Sequence, residues 1–176
     1  MRWEALFADL EAQLEAALAA DRAAEISELT RAERATVLLA DRLRSARGAD
    51  VALLVAGGAT IAGELVDLGA DWALVGDGGR RALVPLQAVI AVRGLPVRAA
   101  PAPGAVARRL GLGSVLRALS RDRATVRLAT EWAELAGRIE LVGADHLDLV
   151  TGVDAPRSGA PMWTVPFAAL RVVRSD

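Results

Sequence analysis

A run of arginines in the middle of the chain is the strongest chemical signal in this sequence. Between residues 98 and 127 there are seven arginines and one acidic residue, Asp122. Guanidinium groups bind phosphate oxygens through paired hydrogen bonds, so this strip predicts contact with a nucleic-acid backbone without base specificity. Arg80 and Arg81, at the predicted end of a hairpin, are candidates to extend it. The seven arginines of the strip are Arg98, Arg108, Arg109, Arg117, Arg121, Arg123 and Arg127.

The acidic N-terminal segment offers another partner for the same arginines. Up to Glu33 the sequence has eight acidic residues and three arginines. Docking of this segment on the strip, within one chain or between chains, is the alternative to nucleic-acid binding. Stacking residues are scarce, since the chain has four tryptophans and two phenylalanines. Trp132, near a predicted turn, is the candidate for stacking, whereas Trp72 and Trp163 fall within predicted strands and are expected in the core.

Several enzyme chemistries are excluded because the sequence lacks the residues that they need. The chain has no Cys, Lys, Tyr or Asn, so all 21 of its Lys and Arg residues are arginines. Without Lys there is no Walker-A loop or Schiff base, and without Cys there is no thiol nucleophile or thiolate zinc site. One histidine, His146, does not make a multi-histidine metal site. We therefore expect a protein that is not an enzyme, with no catalytic residue, metal or cofactor.

The composition predicts a folded, cytoplasmic protein. Of its 176 residues 53% are hydrophobic and 24% charged, which is typical of globular proteins, and the net charge of −1 leaves electrostatic recognition to local patches. The acidic N-terminus does not resemble a signal peptide. The longest uncharged run, 51–63, is shorter than the roughly 18 apolar residues of a membrane span, so no membrane contact is expected. The bias toward Ala, Gly, Val and Arg indicates a GC-rich bacterial genome.

The first 47 residues are predicted to form a helical hairpin. An apolar stripe on the first helix is expected to pack in the core. The sequence Thr30-Arg31-Ala32-Glu33 fits a capping box and predicts a second helix over 30–46, which Gly48 ends. The stripe consists of Trp3, Leu6, Phe7, Leu10, Leu14 and Leu18.

From residue 48 the sequence consists of short apolar runs separated by Gly and Asp, a pattern that predicts a small β-barrel over 48–95. Asp77-Gly78-Gly79 is the predicted tight turn of its third hairpin. Residues 96–120 are predicted to be a Pro/Ala linker followed by a helix over 105–119, and 121–176 a second barrel. The strands of the first barrel are predicted over 51–56, 60–68, 72–76, 82–85 and 89–93.

An internal repeat supports two barrels of the same kind. Sliding the chain by 74 residues places Leu54 on Leu128 and Trp72 on His146. Because the first copy has a tryptophan, which does not titrate, at this position, a packing or surface role is expected for His146. Farther along, the offset becomes 81, with seven residues inserted in a loop at 152–161. The other matched segments are Ala62-Gly63 with Ala136-Gly137, Gly69-Ala70-Asp71 with Gly143-Ala144-Asp145, Val84-Pro85 with Val165-Pro166 and Val92-Arg93 with Val173-Arg174.

The first copy resembles the Sm-like fold of the LSm and Hfq proteins. Residues 58–65 read Gly-Ala-Thr-Ile-Ala-Gly-Glu-Leu, which fits that family's pattern Gly-x-x-hydrophobic-x-Gly-x-hydrophobic, and the runs at 72–75 and 84–92 follow at suitable spacing. The second copy, at 134–139, keeps the second glycine and has Trp132 where the first has Gly58. The resemblance implies an α+β, mainly β protein with two five-stranded barrels, and SH3-like barrels are the alternative.

Members of this family often bind RNA and assemble into rings, but their base pocket is not carried over. Its Asp and Asn positions and its Arg-Gly position have other residues here. The resemblance therefore implies RNA binding by another surface. The residues at those three positions are, for the two copies, Gly69 and Gly143, Ala73 and Leu147, and Gln87-Ala88 and Ala168-Ala169.

Two functions follow as hypotheses. The first is a nucleic-acid-associated, RNA-favouring or regulatory protein, acting in transcriptional or post-transcriptional control through the arginine strip. The second is a protein-interaction or scaffolding module, including self-association, that uses the helical hairpin or the barrel edges.

Overall fold

The computed structural model of the chain describes residues 2–100, 110–152 and 161–175. These residues divide into two compact units, Met1–Leu38 and Leu39–Asp176. The predicted α+β class is confirmed, with helical residues in both units and all strands in the second. No helix in these ranges is long and apolar enough to cross a membrane.

The first unit is one long helix, α1, over Arg2–Ala35. The predicted hairpin is therefore wrong in this region, since the expected turn before Thr30 is absent and Thr30 lies inside α1. The physical reason is that residues 19–35 contain neither Gly nor Pro and are rich in Ala, Glu and Arg, so helix propensity continues through the capping-box sequence. A short second helix, α2, follows at Leu39–Ser45 and belongs to the second unit.

The apolar stripe of α1 is exposed, which corrects the prediction that it packs in the core. Its described side chains are Trp3, Phe7, Leu10, Leu14 and Leu18, all among the exposed large hydrophobic residues. Their spacing of three or four residues places them on one side of the helix. The stripe is available for contact with another apolar surface.

The described residues of the second unit form ten strands in one antiparallel sheet that is not closed, so the prediction of two five-stranded barrels is not confirmed. The predicted strand positions of the first copy are confirmed to within two residues at each end. A third helix, α3, precedes the second set of strands at Leu112–Arg121. The strands are β1 Asp50–Val55, β2 Thr60–Leu68, β3 Trp72–Asp77, β4 Arg80–Pro85, β5 Val89–Arg93, β6 Thr125–Ala129, β7 Glu134–Val142, β8 His146–Thr151, β9 Met162–Pro166 and β10 Val172–Ser175.

Helix α3 begins later than predicted. Residues 110 and 111 are not helical, and Gly111 is the N-cap in an extended conformation. Gly has a low helix propensity, so the helix forms only beyond it. The expected part of this helix over 105–109 lies outside the described residues, as does most of the inserted loop, 153–160.

The order of strands repeats along the sheet. It runs β5-β1-β2-β3-β4-β10-β6-β7-β8-β9, so each copy contributes its fifth, first, second, third and fourth strands in that order. The last strand of the first copy, β4, pairs with the fifth strand of the second, β10, with Leu83 opposite Val173. This strand pair, which we call the joint, makes the two copies one continuous sheet.

The two copies share the same backbone irregularities. A register shift interrupts β2–β3 pairing between Leu65 and Asp67, and the same shift interrupts β7–β8 pairing at the matching residues. Gly63 and Gly137 precede these bulges, and a Cβ at either would overlap the carbonyl oxygen of Gly76 or Val150 on the neighbouring strand. The matched glycines are therefore required where two strands cross closely.

One detail of the sequence alignment is wrong. Leu53 is opposite Ile61 and Leu128 is opposite Leu135, so Leu53, not Leu54, is the counterpart of Leu128. Five residues separate the last facing pair of the first copy, Leu54 and Thr60, whereas four separate the equivalent pair Ala129 and Glu134, which moves the first strand by one position. Leu53 and Leu128 are both fully buried, in the two hydrophobic cores on which the copies are built.

The turn between β2 and β3 holds the start of α3. The Asp71 carboxylate accepts a hydrogen bond of 2.7 Å from the backbone N–H of Leu112, and the Trp72 indole donates one of 2.8 Å to the Leu110 carbonyl. Leu112 and Leu116 are buried beside Trp72 in the core of the second copy. The first copy thus positions the helix that leads into the second.

We expect Asp71→Ala to lower the free energy of unfolding by about 1 kcal/mol, because one of the free N–H groups at the start of α3 loses its acceptor. The matched control is Asp145→Ala, at the same place in the second turn, where the carboxylate is exposed and lies 2.8 Å from Nδ1 of its neighbour His146. Urea unfolding of both variants measures the difference. An equal effect of the two substitutions would contradict this role of Asp71.

Candidate anion-binding groove at the joint

Four arginines from three strands and both copies come together at the joint. Arg80 and Arg81 open β4, after a tight turn that Gly78 and Gly79 form with positive φ angles, as the sequence predicts. On the neighbouring strands Arg174 of β10 lies opposite Arg127 of β6. Strand pairing, which fixes the register of each residue, therefore positions all four guanidinium groups near one end of the joint.

The arginines line two cavities. The first, of about 530 Å³, is lined by all four arginines with Gly79 and Ser175. The second, of about 350 Å³, shares Arg80, Arg81 and Arg174 with the first and has Asp77 in its lining. Because the lining residues are shared, the cavities adjoin. We call the surface formed by Arg80, Arg81, Arg127 and Arg174 the arginine groove.

Positive charge exceeds negative charge in this groove. Arg127 lies 3.7 Å from the Glu134 carboxylate, at the limit of an ion pair. Within the described ranges, no ion pair joins Arg80, Arg81 or Arg174 to a carboxylate. Like charges that face each other across a sheet, such as Arg127 and Arg174, destabilise it. An anion bound between them relieves that repulsion, so the site is suited to phosphate or another oxyanion.

The predicted arginine strip is distributed over several places. Arg127 is in the groove, together with the proposed extension Arg80 and Arg81. Arg121 and Arg123 instead line a separate cavity of about 360 Å³ with Arg138 and Glu140, just beyond α3. The described strip residues are thus divided between at least two surfaces.

The remaining members of the strip have local roles or lie outside the described residues. The Arg117 guanidinium donates a hydrogen bond of 3.3 Å to the Gly143 carbonyl. Arg98 is exposed, and its backbone carbonyl accepts a hydrogen bond of 2.7 Å from Ser45 Oγ, which attaches the linker to α2. Arg108 and Arg109 lie outside the described residues.

Sequence reasoning missed Arg174, which completes the groove. The repeat had matched Arg174 with Arg93, but only strand pairing across the joint reveals that Arg174 faces Arg127. Arg93 faces Ala52 in the first copy, so the same residue type has a different electrostatic environment there. The sequence could have pointed to Arg174 only if the pairing of strands between the two copies had been known.

The candidate stacking residue and the histidine have contrasting settings. Trp132 is 90% exposed in the turn between β6 and β7, where the Thr130 hydroxyl and the Ala133 backbone bond each other. The His146 ring packs over Gly143, and its Nδ1 lies 2.8 Å from an Asp145 carboxylate oxygen. This hydrogen bond lowers the pKa of Asp145 from its ordinary value.

No group of three or more metal-ligating His, Cys, Asp or Glu side chains is found in the described part of the chain.

Comparison with known proteins gives no family for this chain: no family model, curated protein or solved structure matches it. The groove is therefore interpreted from its own geometry.

We expect Arg174→Gln to raise the free energy of unfolding by about 0.5 kcal/mol at low salt, because it removes one of two facing positive charges. High salt should reduce the gain, since it screens the repulsion. The control is Arg93→Gln, the matched position opposite Ala52, where no gain is expected. Thermal or urea unfolding at two salt concentrations measures both. Equal responses of the two variants would show that the facing arginines do not repel each other measurably.

Proposed function

We propose that this chain is a non-enzymatic RNA-binding protein that holds the phosphate backbone in the arginine groove. The observation that supports this most directly is the convergence of Arg80, Arg81, Arg127 and Arg174 in adjoining cavities with few carboxylates. Arginine is suited to this role because its planar guanidinium group bonds two phosphate oxygens at once. Binding of this kind fixes the position of a strand without reading its bases.

The strands that carry the arginines are a rigid support. Leu83 and Val173, which face each other across the joint, are buried. Arg81, two residues before Leu83, and Arg174, next to Val173, therefore project from backbone that hydrophobic packing holds in place. Less conformational entropy is lost when a ligand binds to groups on ordered backbone than to groups on a free loop. This favours the groove over isolated surface arginines as the principal binding site.

We also propose that each copy is an Sm-like unit. The shared strand order, the shared bulge and the paired glycines at Gly63 and Gly137 support this assignment. It is the reason for favouring RNA over DNA. A cytoplasmic protein that regulates transcripts through contacts with their backbone is the function that combines the resemblance with the groove.

The decisive experiment is fluorescence-anisotropy titration of labelled single-stranded RNA, duplex RNA and duplex DNA at several salt concentrations. For Arg81→Glu/Arg174→Glu we expect affinity for single-stranded RNA to fall at least about tenfold. The slope of log affinity against log salt should decrease by about 1.4, which corresponds to two phosphate contacts at about 0.7 each.

Two charge-matched double variants serve as controls. Arg121→Glu/Arg123→Glu alters the separate cavity beyond α3, and Arg34→Glu/Arg93→Glu alters arginines that line neither the groove nor that cavity. We expect both to bind more tightly than the groove variant. Equal losses in all three variants would indicate a net-charge effect and refute the groove, whereas the greatest loss at Arg121 and Arg123 would move the site to the other cavity.

A second candidate function is protein interaction through α1. The observation that favours it is the exposed apolar stripe, which includes Trp3, Phe7 and Leu14. A helix with such a stripe binds a complementary groove or another helix of the same kind. This function needs no nucleic acid and makes no use of the arginine groove.

We expect Phe7→Glu/Leu14→Glu to abolish a protein complex formed by the wild type, because charges replace apolar contacts in the middle of the stripe. Cross-linking followed by mass measurement reveals such a complex. The control, Glu11→Gln/Glu15→Gln, changes acidic residues of the same helix turns and should retain it. A complex that survives the first variant would exclude the stripe as its interface.

A further inference from the structure

The apolar stripe of α1 is a large uncovered surface. Every described side chain of α1 from Phe7 to Leu29 is exposed, and Trp3 is 72% exposed. Together the five described side chains of the stripe expose on the order of 600 Å². An apolar patch of that size equals the largest patch on a typical monomer and marks an interaction site.

The stripe ends halfway along α1 and an acidic surface takes its place. Beyond Leu18 the spacing of three or four residues continues with Asp21, Glu25 and Glu28, so the apolar side of the helix becomes acidic. All three side chains are exposed, and Glu28 pairs with Arg31 of the same helix. A partner of the stripe must therefore keep further negative charge away from the second half of α1.

The large residues of the stripe are placed symmetrically. Trp3 and Leu18 are equally far along the helix from a point between residues 10 and 11, and so are Phe7 and Leu14. Leu10 lies beside that point. Two such helices laid antiparallel about it place an aromatic ring against a leucine at both ends. A surface that matches itself under a two-fold rotation is what a symmetric dimer requires.

We propose that α1 pairs with α1 of a second copy in antiparallel orientation. Trp3 of one copy lies against Leu18 of the other, and Phe7 lies against Leu14. The partner is a second copy because the stripe carries its own complement. This proposal rests on the second candidate function, protein interaction through α1, and deepens it by naming the partner and the orientation.

Charge selects the antiparallel orientation over the parallel one. In a parallel pair Asp21, Glu25 and Glu28 would each lie beside the same residue of the other copy, and like charges so placed destabilise the pair. In the antiparallel pair the two acidic segments lie at opposite ends, separated by a stripe of about 22 Å. That separation exceeds the Debye length of about 8 Å at physiological ionic strength, so the repulsion is screened.

The size of the stripe predicts how strongly the copies associate. A pair that covers both stripes buries on the order of 1,000 Å² in total, which is near the lower limit for a specific interface. We therefore expect a dimer that dissociates on dilution. Pairing also stabilises α1 itself, because most helical stability in proteins comes from packing of an apolar face.

Cysteine cross-linking tests the partner and the orientation together. The natural chain has no cysteine, so a single introduced cysteine forms a protein disulfide only with another copy. In a glutathione redox buffer we expect Trp3→Cys and Leu18→Cys to stay unlinked when each is alone. An equimolar mixture of the two should give a linked dimer whose mass identifies one copy of each. Leu10→Cys, beside the two-fold axis, should link to itself and is the positive control.

A charge exchange within one chain provides an independent test by light scattering over a dilution series. Leu14→Glu should raise the dissociation constant at least about tenfold, because it places a charge in the apolar contact. Phe7→Arg/Leu14→Glu should associate more tightly than Leu14→Glu, since each Arg then faces a Glu of the other copy. Phe7→Glu/Leu14→Glu, with like charges at the same positions, is the matched control and should stay dissociated. Circular dichroism checks that the sheet is folded in every variant.

Three outcomes would overturn the proposal. These are a wild type that is monomeric at every concentration, self-linking of Trp3→Cys and of Leu18→Cys without the mixed dimer, and a charge exchange that associates no better than Leu14→Glu. A monomeric wild type whose complex with a different protein is lost in Phe7→Glu/Leu14→Glu would exclude the second copy and retain the stripe as an interface. The failure of this proposal is thereby distinguished from the failure of the second candidate function.

Discussion

The pairing of β4 with β10 is the interaction on which the rest of the second unit depends. It joins two five-stranded halves into one sheet, buries Leu83 and Val173, and lets each half contribute to a core. Hydrophobic contacts at alternate positions fix its register, because a slip of one residue would exchange buried and exposed side chains. Everything that distinguishes the joint from the sheet edges, including the arginine groove, follows from that register.

In the groove, the proposed anion binding and the stability of the sheet place opposite demands on the same residues. Arg127 and Arg174 face each other on adjacent strands, which we expect to cost stability in the free protein, and the hydrophobic residues beside them hold the strands together. The proposed anion binding would use positive groups that are already oriented before any ligand arrives. The same packing would be lost if the arginines were carried on a loop.

The sequence predicted local structure more successfully than long-range pairing. Alternating apolar residues, the Gly78-Gly79 turn and the internal repeat placed the strands of the first copy to within two residues. Trp163 was expected in the core but is 54% exposed on the edge strand β9. Neither this exposure nor the pairing of Arg127 with Arg174 was predictable, since each depends on which strands lie side by side. At Thr30 the capping-box motif predicted the start of a helix, but the surrounding run of good helix formers continues the helix through it, and α1 is uninterrupted.

Because its two strands are covalently connected, the joint can tolerate unfavourable contacts that would prevent separate molecules from associating. The two strands that meet there belong to one chain, so their effective concentration is far above that of separate molecules and the contact tolerates unfavourable substitutions. Facing arginines such as Arg127 and Arg174 are therefore tolerated at the joint, where the chain itself keeps the strands together. The outer strands β5 and β9 have no such connection to a further strand within the described residues, and the exposed side chains of Met162 and Trp163 on β9 are apolar. A repeat within one chain can in this way place positive charge at the contact between its two copies and leave apolar side chains at its edges.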